Sequence, residues 1–204
     1  MIGRRLFTTA KTATPTLAQL VSKLRKETSA PIVKARVALE QNNFDFDLAL
    51  KSLQQLALKS SEKLANRKTK QGLVAVWIGD HKSGLVEVNC ETDFVERSDL
   101  FKDAVRDVRE TAAASLSSLD STTSTLNELS SEALAAWVDS ATIPTTTTTV
   151  KDRTIEAIAK LGENIRVRKA LVSAAKLDKD IVFGGYTHGG DDLMGKIAGL
   201  VALR

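Results

Sequence analysis

The sequence predicts an α+β protein: a small three-helix bundle followed by two related α/β core subdomains, each a β-hairpin with helices, the second incomplete. Before residue 58, apolar residues recur every three or four positions, which is the spacing along one side of an α-helix. From residue 72 onward, short alternating segments rich in β-branched residues indicate strands, and helical patterns separate them. With 204 residues, 43% of them hydrophobic, the chain can form one large domain or two small ones.

The first thirteen residues have the composition of a mitochondrial transit peptide. They carry Arg4, Arg5 and Lys11, several hydroxyl residues and no acid, and the first acidic residue is Glu27. No apolar stretch of seven residues is present there, which disfavours a secretory signal. We therefore expect residues 1–13 to be a targeting segment, with an ordinary N-terminal extension as the alternative.

Residues 14–57 are predicted to form the helical bundle. Each of three segments has an apolar stripe, the first running through Leu17, Leu20 and Leu24. Side chains that can cap a helix stand before each segment, and the second segment also has a proline in its first turn. These residues are Thr16, Ser29, Pro31, and Asp45 or Asp47.

A polar, basic linker over residues 58–71 leads to the first core subdomain, residues 72–118. Strands are predicted at 72–80 and 85–90, with the turn of a hairpin at 81–84. A helix follows, with Ser98 or Asp99 as its cap and Phe101 on its apolar side.

Residues 119–149, rich in serine and threonine, are predicted to be an insertion or linker with one helix near 132–138. The partial second subdomain, residues 150–204, begins with a helix that Gly162 ends. Strands follow from residue 164, at 181–188 and at 197–204. Gly-Leu-Val opens the returning strand of both hairpins, at 84–86 and at 199–201, which indicates two related units.

Composition excludes several classes of protein. No apolar run approaches the eighteen residues of a membrane span. One cysteine excludes an internal disulfide framework, and two histidines disfavour a Cys/His zinc site. Residues 1–13 supply +3 of the +4 net charge, leaving 26 basic residues against 25 acidic ones, so direct nucleic-acid binding is not expected.

Sequence motifs for chemistry are weak. Residues 190–197 fit a phosphate-loop spacing, but Ile197 replaces the Ser or Thr that binds magnesium. Cys90 lies at a strand end and is expected to be a small buried hydrophobe. Three acids between residues 91 and 96 lack a histidine or fourth ligand, so we expect no metal there.

The segment from Asn89 to Val95 lies between a predicted strand and a predicted helix. One interpretation lets Phe94, next to Asp93, project from a tight connection. The other has Phe94 packed inward and Asp93 capping the helix. Residue chemistry alone favours the second interpretation.

Four separated motifs resemble the elongation factor Ts family, in its mitochondrial form. The similarity covers most of residues 16–110 and 154–204. The motifs lie in the family's order, and Glu87–Val95 is the closest match. They are Leu24–Thr28 with Lys34–Arg36 and Ala38–Leu39, Glu87–Val95, Leu161–Ile165, and Tyr186–Gly189.

The resemblance implies a guanine-nucleotide exchange factor that promotes GDP release from mitochondrial elongation factor Tu in the mitochondrial matrix. Such a factor makes no covalent bond and needs no cofactor, metal, small-molecule substrate, membrane or direct nucleic-acid contact. The resemblance also implies that residues 14–57 are similar to ubiquitin-associated domains and dock on the partner's GTPase domain, with Arg25 and Lys34 among the contacts.

The family likewise implies where the core touches its partner. Asp93 and Phe94, flanked by Thr92 and Val95, correspond to residues that intrude near the partner's magnesium and phosphate site. His188, followed by Gly189, corresponds to a histidine that perturbs the phosphate-binding region. A non-catalytic adaptor that binds another protein through residues 16–57 is the alternative function, and a nucleotide hydrolase is a third.

Overall fold

A computed structural model describes residues 15–28, 30–79, 82–116, 126–144, 146–174 and 181–203. Over these ranges the protein combines seven helices with antiparallel sheets, which confirms the α+β class. The chain divides into two compact units, one up to Leu56 and one from Ala57 onward. The predicted transit peptide lies outside the described residues.

Three helices come first in the chain, as predicted: α1 (Leu17–Thr28), α2 (Ile32–Gln41) and α3 (Phe46–Leu64), whose part from Ala57 onward belongs to the second unit. Thr16 and Asp45 accept hydrogen bonds from backbone N–H groups of α1 and α3, confirming both caps. Pro31 precedes α2 instead of lying in its first turn, and Ser29 lies outside the described residues. The core between the helices is aliphatic and consists of Leu24, Ala35, Ala38, Leu39, Ala49 and Leu53. α3 continues to Leu64, so half of the predicted linker is helical.

The second unit is organised around the hairpin of β1 (Gln71–Ile78) and β2 (Lys82–Cys90), which pair from Gln71↔Cys90 to Ile78↔Ser83. The sequence placed residues 82–84 in the turn, and this is wrong. Gly84 lies in β2, opposite Trp77 of β1, and a side chain at this position would be 2.2 Å from the Trp77 ring. Glycine at position 84 therefore allows the Trp77 ring to pack closely against the backbone of β2, and it does not form a turn.

Three further segments complete a five-stranded sheet in the order β3-β4-β2-β1-β6. They are β3 (Leu126–Glu128), β4 (Arg166–Ala174) and β6 (Met194–Gly195). β4 lies antiparallel beside β2, with a bulge at Glu87/Val88. The first hairpin thus shares its sheet with strands from the stretches assigned to the insertion and the second subdomain. The division into two subdomains stays a prediction.

Four helices follow the hairpin: α4 (Asp93–Arg97), α5 (Asp99–Ser115), α6 (Ser131–Ser140) and α7 (Val150–Leu161). Ser98 caps α5, and Gly162 ends α7 with a φ of 74°, both as predicted. The Ser/Thr-rich stretch is less of a spacer than expected, because Leu134 and Trp137 of α6 are buried in the core of the sheet and helices.

A separate two-stranded sheet pairs β5 (Val182–His188) with β7 (Ile197–Leu203). Both strands were predicted. Gly185 of β5 approaches Val76 and Ile78 so closely that a side chain there would meet them, so this ribbon packs against β1. Among the described residues, no helix is long and apolar enough to cross a membrane.

Candidate functional site

The site begins at the tight connection between β2 and α4. The Thr92 hydroxyl accepts a hydrogen bond from the backbone N–H of Val95 and caps α4. Phe94 projects into solvent, with 82% of its surface exposed. The interpretation favoured by residue chemistry, with Phe94 inward and Asp93 as the cap, is therefore wrong.

The exposure of Phe94 follows from the orientation of α4. Val95 and Glu96 face inward and are 9% and 3% exposed, so the preceding residue faces out. Asp93 is half exposed, and its carboxylate pairs with Arg97 one turn later at 3.1 Å. A large apolar ring and a carboxylate thus stand next to each other on the surface. Thr92 and Val95 support this pair from below, and their predicted contacts with a partner stay predictions.

Glu163 holds this connection in place. Its carboxylate accepts hydrogen bonds from the Thr92 backbone N–H at 3.0 Å and from the Thr92 hydroxyl at 2.6 Å. Glu163 directly follows Gly162, whose left-handed conformation turns the chain back toward β2. Sequence analysis did not predict this role, although Glu163 belongs to the family-like motif Leu161–Ile165.

Asn164, the next residue, ties the segment before β1 to the same place. Its buried side-chain amide donates to the carbonyls of Ala65 and Arg67, at 3.2 and 2.8 Å. Its backbone N–H donates to the Glu91 carboxylate at 2.6 Å. Two consecutive residues of one motif therefore brace both ends of the connection.

The three acids of residues 91–96 have different partners. Glu91 receives the Asn164 N–H and lies 3.6 Å from Arg67. Asp93 pairs with Arg97 as described above, and Glu96 accepts from the backbone N–H of Gly72 at 3.3 Å. Within the described ranges, no group of His, Cys, Asp and Glu residues could hold a metal ion.

Cys90 is fully buried beneath the connection, as predicted. Burial, together with the negative charges of Glu163 and Glu96, raises the pKa of its thiol to about 12. The thiol donates a weak hydrogen bond to the carbonyl of Thr92 at 3.3 Å. A thiol with so high a pKa is not a nucleophile near neutral pH, so its role is packing.

The second half of the site is the tight loop after β5. His188 is exposed at the end of that strand and pairs with Ile197. Gly189 has a φ of 77°, a conformation that favours glycine. A side chain at Gly195 would lie 2.4 Å from the His188 carbonyl. The Asp191 carboxylate accepts from the N–H groups of Leu193 and Met194, both at 2.9 Å, and closes the loop.

A cleft of about 260 Å³ lies between the two halves of the site. Residues from α4 and the start of α5 form one wall, and residues 189–196 form the other. Phe94 and His188 therefore belong to structures that border the same cleft. The sequence separates them by more than ninety residues, but the sheet brings their supporting segments together.

The two basic candidates lie in the first unit. Arg25 is exposed near the end of α1 and donates to the carbonyl of Ala30 at 3.3 Å. Lys34 is exposed in the first turn of α2. Several large apolar side chains are exposed on the same unit, among them Ile32 and Val33 at 56% and 71%.

Comparison with known proteins connects these features to one family. The family model described as elongation factor TS matches residues 91–204, which include the Thr92 connection, Glu163 and the His188 loop. The chain belongs to the elongation factor Ts family. Of the four motifs that resembled this family, the matched range contains Leu161–Ile165, Tyr186–Gly189 and the end of Glu87–Val95.

Curated relatives agree with the assignment to the elongation factor Ts family. The mitochondrial elongation factor Ts of Cryptococcus neoformans var. neoformans serotype D (strain JEC21) is 34% identical over 240 residues, covering 99% of this chain and 65% of that protein. The mitochondrial elongation factor Ts of Coprinopsis cinerea is 38% identical over 208 residues, covering 91% and 61%. The elongation factor Ts of Sinorhizobium fredii is 31% identical over 187 residues, covering 92% and 55%. The chain thus spans about two thirds or less of the length of these relatives.

Proposed function

We propose that this chain acts in translation elongation as a guanine-nucleotide exchange factor, promoting GDP release from elongation factor Tu. The observation that carries the proposal is the exposed Phe94 beside Asp93 on a braced connection in a member of this family. The chain lowers the barrier to release by binding and makes no covalent bond. It uses no cofactor, membrane or nucleic acid.

The physical requirement for exchange is differential affinity. A factor accelerates GDP release only if it binds the nucleotide-free partner more tightly than the GDP-bound one. An apolar ring on a rigid support can wedge between packed elements near the magnesium site, and Asp93 can compete for groups that hold the phosphate. The two bonds from Thr92 to Glu163 support this role because they fix the base of the wedge.

The remaining parts have complementary proposed roles. The three-helix unit is a ubiquitin-associated-like domain that docks on the partner's GTPase domain, with Arg25 and Lys34 among its contacts. Its exposed apolar residues on α2 support a docking surface. His188 and Gly189 press on the phosphate-binding region, and the unit from Ala57 onward comprises two related subdomains. Residues 1–13 direct the chain to mitochondria, where it works in the matrix.

Release of labelled GDP from mitochondrial elongation factor Tu tests the proposal. The rate of release is measured in excess unlabelled nucleotide, once with a protein of residues 14–204 added and once without it. Faster release supports exchange activity. A folded chain that binds the partner without accelerating release supports the adaptor alternative, and nucleotide hydrolysis by the isolated chain would support an enzyme instead.

A further inference from the structure

One ion pair, with a buried carboxylate and a half-exposed ammonium, connects the two halves of the site. The Glu96 carboxylate, on the inner side of α4, lies 3.1 Å from the Lys196 ammonium, which follows β6. The Glu96 side chain is only 4% exposed, whereas the Lys196 side chain is 47% exposed. The other carboxylate oxygen of Glu96 accepts the Gly72 N–H, so its position is determined from two sides.

Each member of the pair lies directly beside one of the proposed contact residues. Glu96 is two residues after Phe94 on the single-turn helix α4. Lys196 packs its aliphatic stem against Gly189, where an added side chain would be 3.3 Å from the lysine Cβ and Cγ. His188 precedes Gly189 and closely approaches Gly195 through its backbone. A contact path therefore runs from Phe94 through Glu96 and Lys196 to the His188 loop.

We propose that Glu96 and Lys196 are positioning residues that couple the Phe94 connection to the His188 loop, so that both engage the partner in one fixed geometry. The inference rests on the proposed exchange function. The pair itself touches no nucleotide. It sets the width of the cleft between the two walls.

The chemistry of the pair suits this role. A buried carboxylate that loses its ammonium partner keeps a costly desolvated charge, so the pair resists separation. An ion pair exposed on both sides contributes little stability, so it would hold the two walls of the cleft together less strongly. Mutations within a network of packed and paired side chains can change the coupling between two sites by about twofold to thirtyfold.

Two variants separate the charge interaction from the packing. Glu96→Gln keeps an oxygen for the Gly72 N–H but removes the charge, and we expect about tenfold slower GDP release at saturating factor. Lys196→Arg retains the positive charge beside Glu96 and should therefore keep most of the wild-type rate of GDP release. Glu128→Gln is the control for losing an ion pair at the surface, because Glu128 is 51% exposed and lies 3.3 Å from Lys169 in the same unit.

Amide hydrogen exchange of the free chain supplies a readout that needs no partner. In Glu96→Gln, protection at Leu193 and Met194 should fall several-fold, while protection between β2 and β4, which do not contact the loop through hydrogen bonds, stays unchanged. Unchanged loop protection, or wild-type GDP release by a folded Glu96→Gln variant, would overturn the coupling. If the wild-type chain itself fails to accelerate GDP release, the exchange function fails, and the hydrogen-exchange comparison still decides whether the pair couples the walls.

Discussion

Replacing Phe94 by alanine separates a contact role from a packing role. Phe94 is 82% exposed, so folding removes only about 40 Å² of the roughly 200 Å² that a phenylalanine can bury. At about 25 cal/mol per Å², the substitution should cost at most about 1 kcal/mol of unfolding free energy. A shift of about 2–4 °C in Tm would correspond to that loss.

Phe101 provides the matched control for the stability of Phe94→Ala. It is fully buried in the core of the second unit, so Phe101→Ala should cost about 3–5 kcal/mol. For Phe94→Ala we expect the reverse of the stability result: a small loss of stability but a large loss of exchange rate. Phe94→Ala should lower the accelerated rate by roughly thirtyfold, the effect of losing a contact worth about 2 kcal/mol.

Thermal unfolding and labelled-GDP release of the two variants, measured side by side, test this reasoning. Both tryptophans, Trp77 and Trp137, are buried in the core of the second unit, so their fluorescence reports its unfolding. A folded Phe94→Ala variant that accelerates GDP release at the wild-type rate would refute the proposed insertion of Phe94 between elements of the partner. A Phe94→Ala variant as unstable as Phe101→Ala would refute the exposed orientation.

Three further predictions concern the supports of the connection. Glu163→Gln removes a charged acceptor from Thr92 and should cost about 1–3 kcal/mol in urea unfolding while slowing GDP release; unchanged values in both assays would contradict the bracing role. Gly162→Ala meets no atom within 4 Å, so only its left-handed backbone is penalised, by about 1–2 kcal/mol, and Gly162→Asn should cost less; equal costs would count against this explanation. Native Cys90 should resist a thiol reagent at pH 8 until the chain is unfolded. Because its thiol pKa is raised from 9.0 to about 12, the unfolded chain loses this proton first, and stability should fall between pH 9 and 12; fast native labelling would contradict the assigned burial.

Local patterns predicted the elements that depend on neighbouring residues. Helical spacing located the three helices of the first unit, and Ser98 and Gly162 correctly marked where α5 begins and α7 ends. The alternating stretch before Cys90 correctly indicated a hairpin. These signals act within one or two turns of chain, so the sequence carries them directly.

Features that depend on distant partners could not be predicted in this way. Gly84 looked like a turn residue, but the Trp77 ring across the strand pair requires glycine there. Phe94 looked like a core residue, but Glu163, more than seventy positions away, holds Thr92 in the cap position. Neither contact follows from the spacing of neighbouring residues, because one crosses a strand pair and the other joins two distant segments.

The affinity of the chain for the two forms of its partner tests the central claim most directly. Residues 14–204 are titrated against nucleotide-free and against GDP-bound mitochondrial elongation factor Tu, and the two Kd values are compared. The account predicts markedly tighter binding to the nucleotide-free form, since only that difference can drive GDP release. Equal Kd values for the two forms would contradict it.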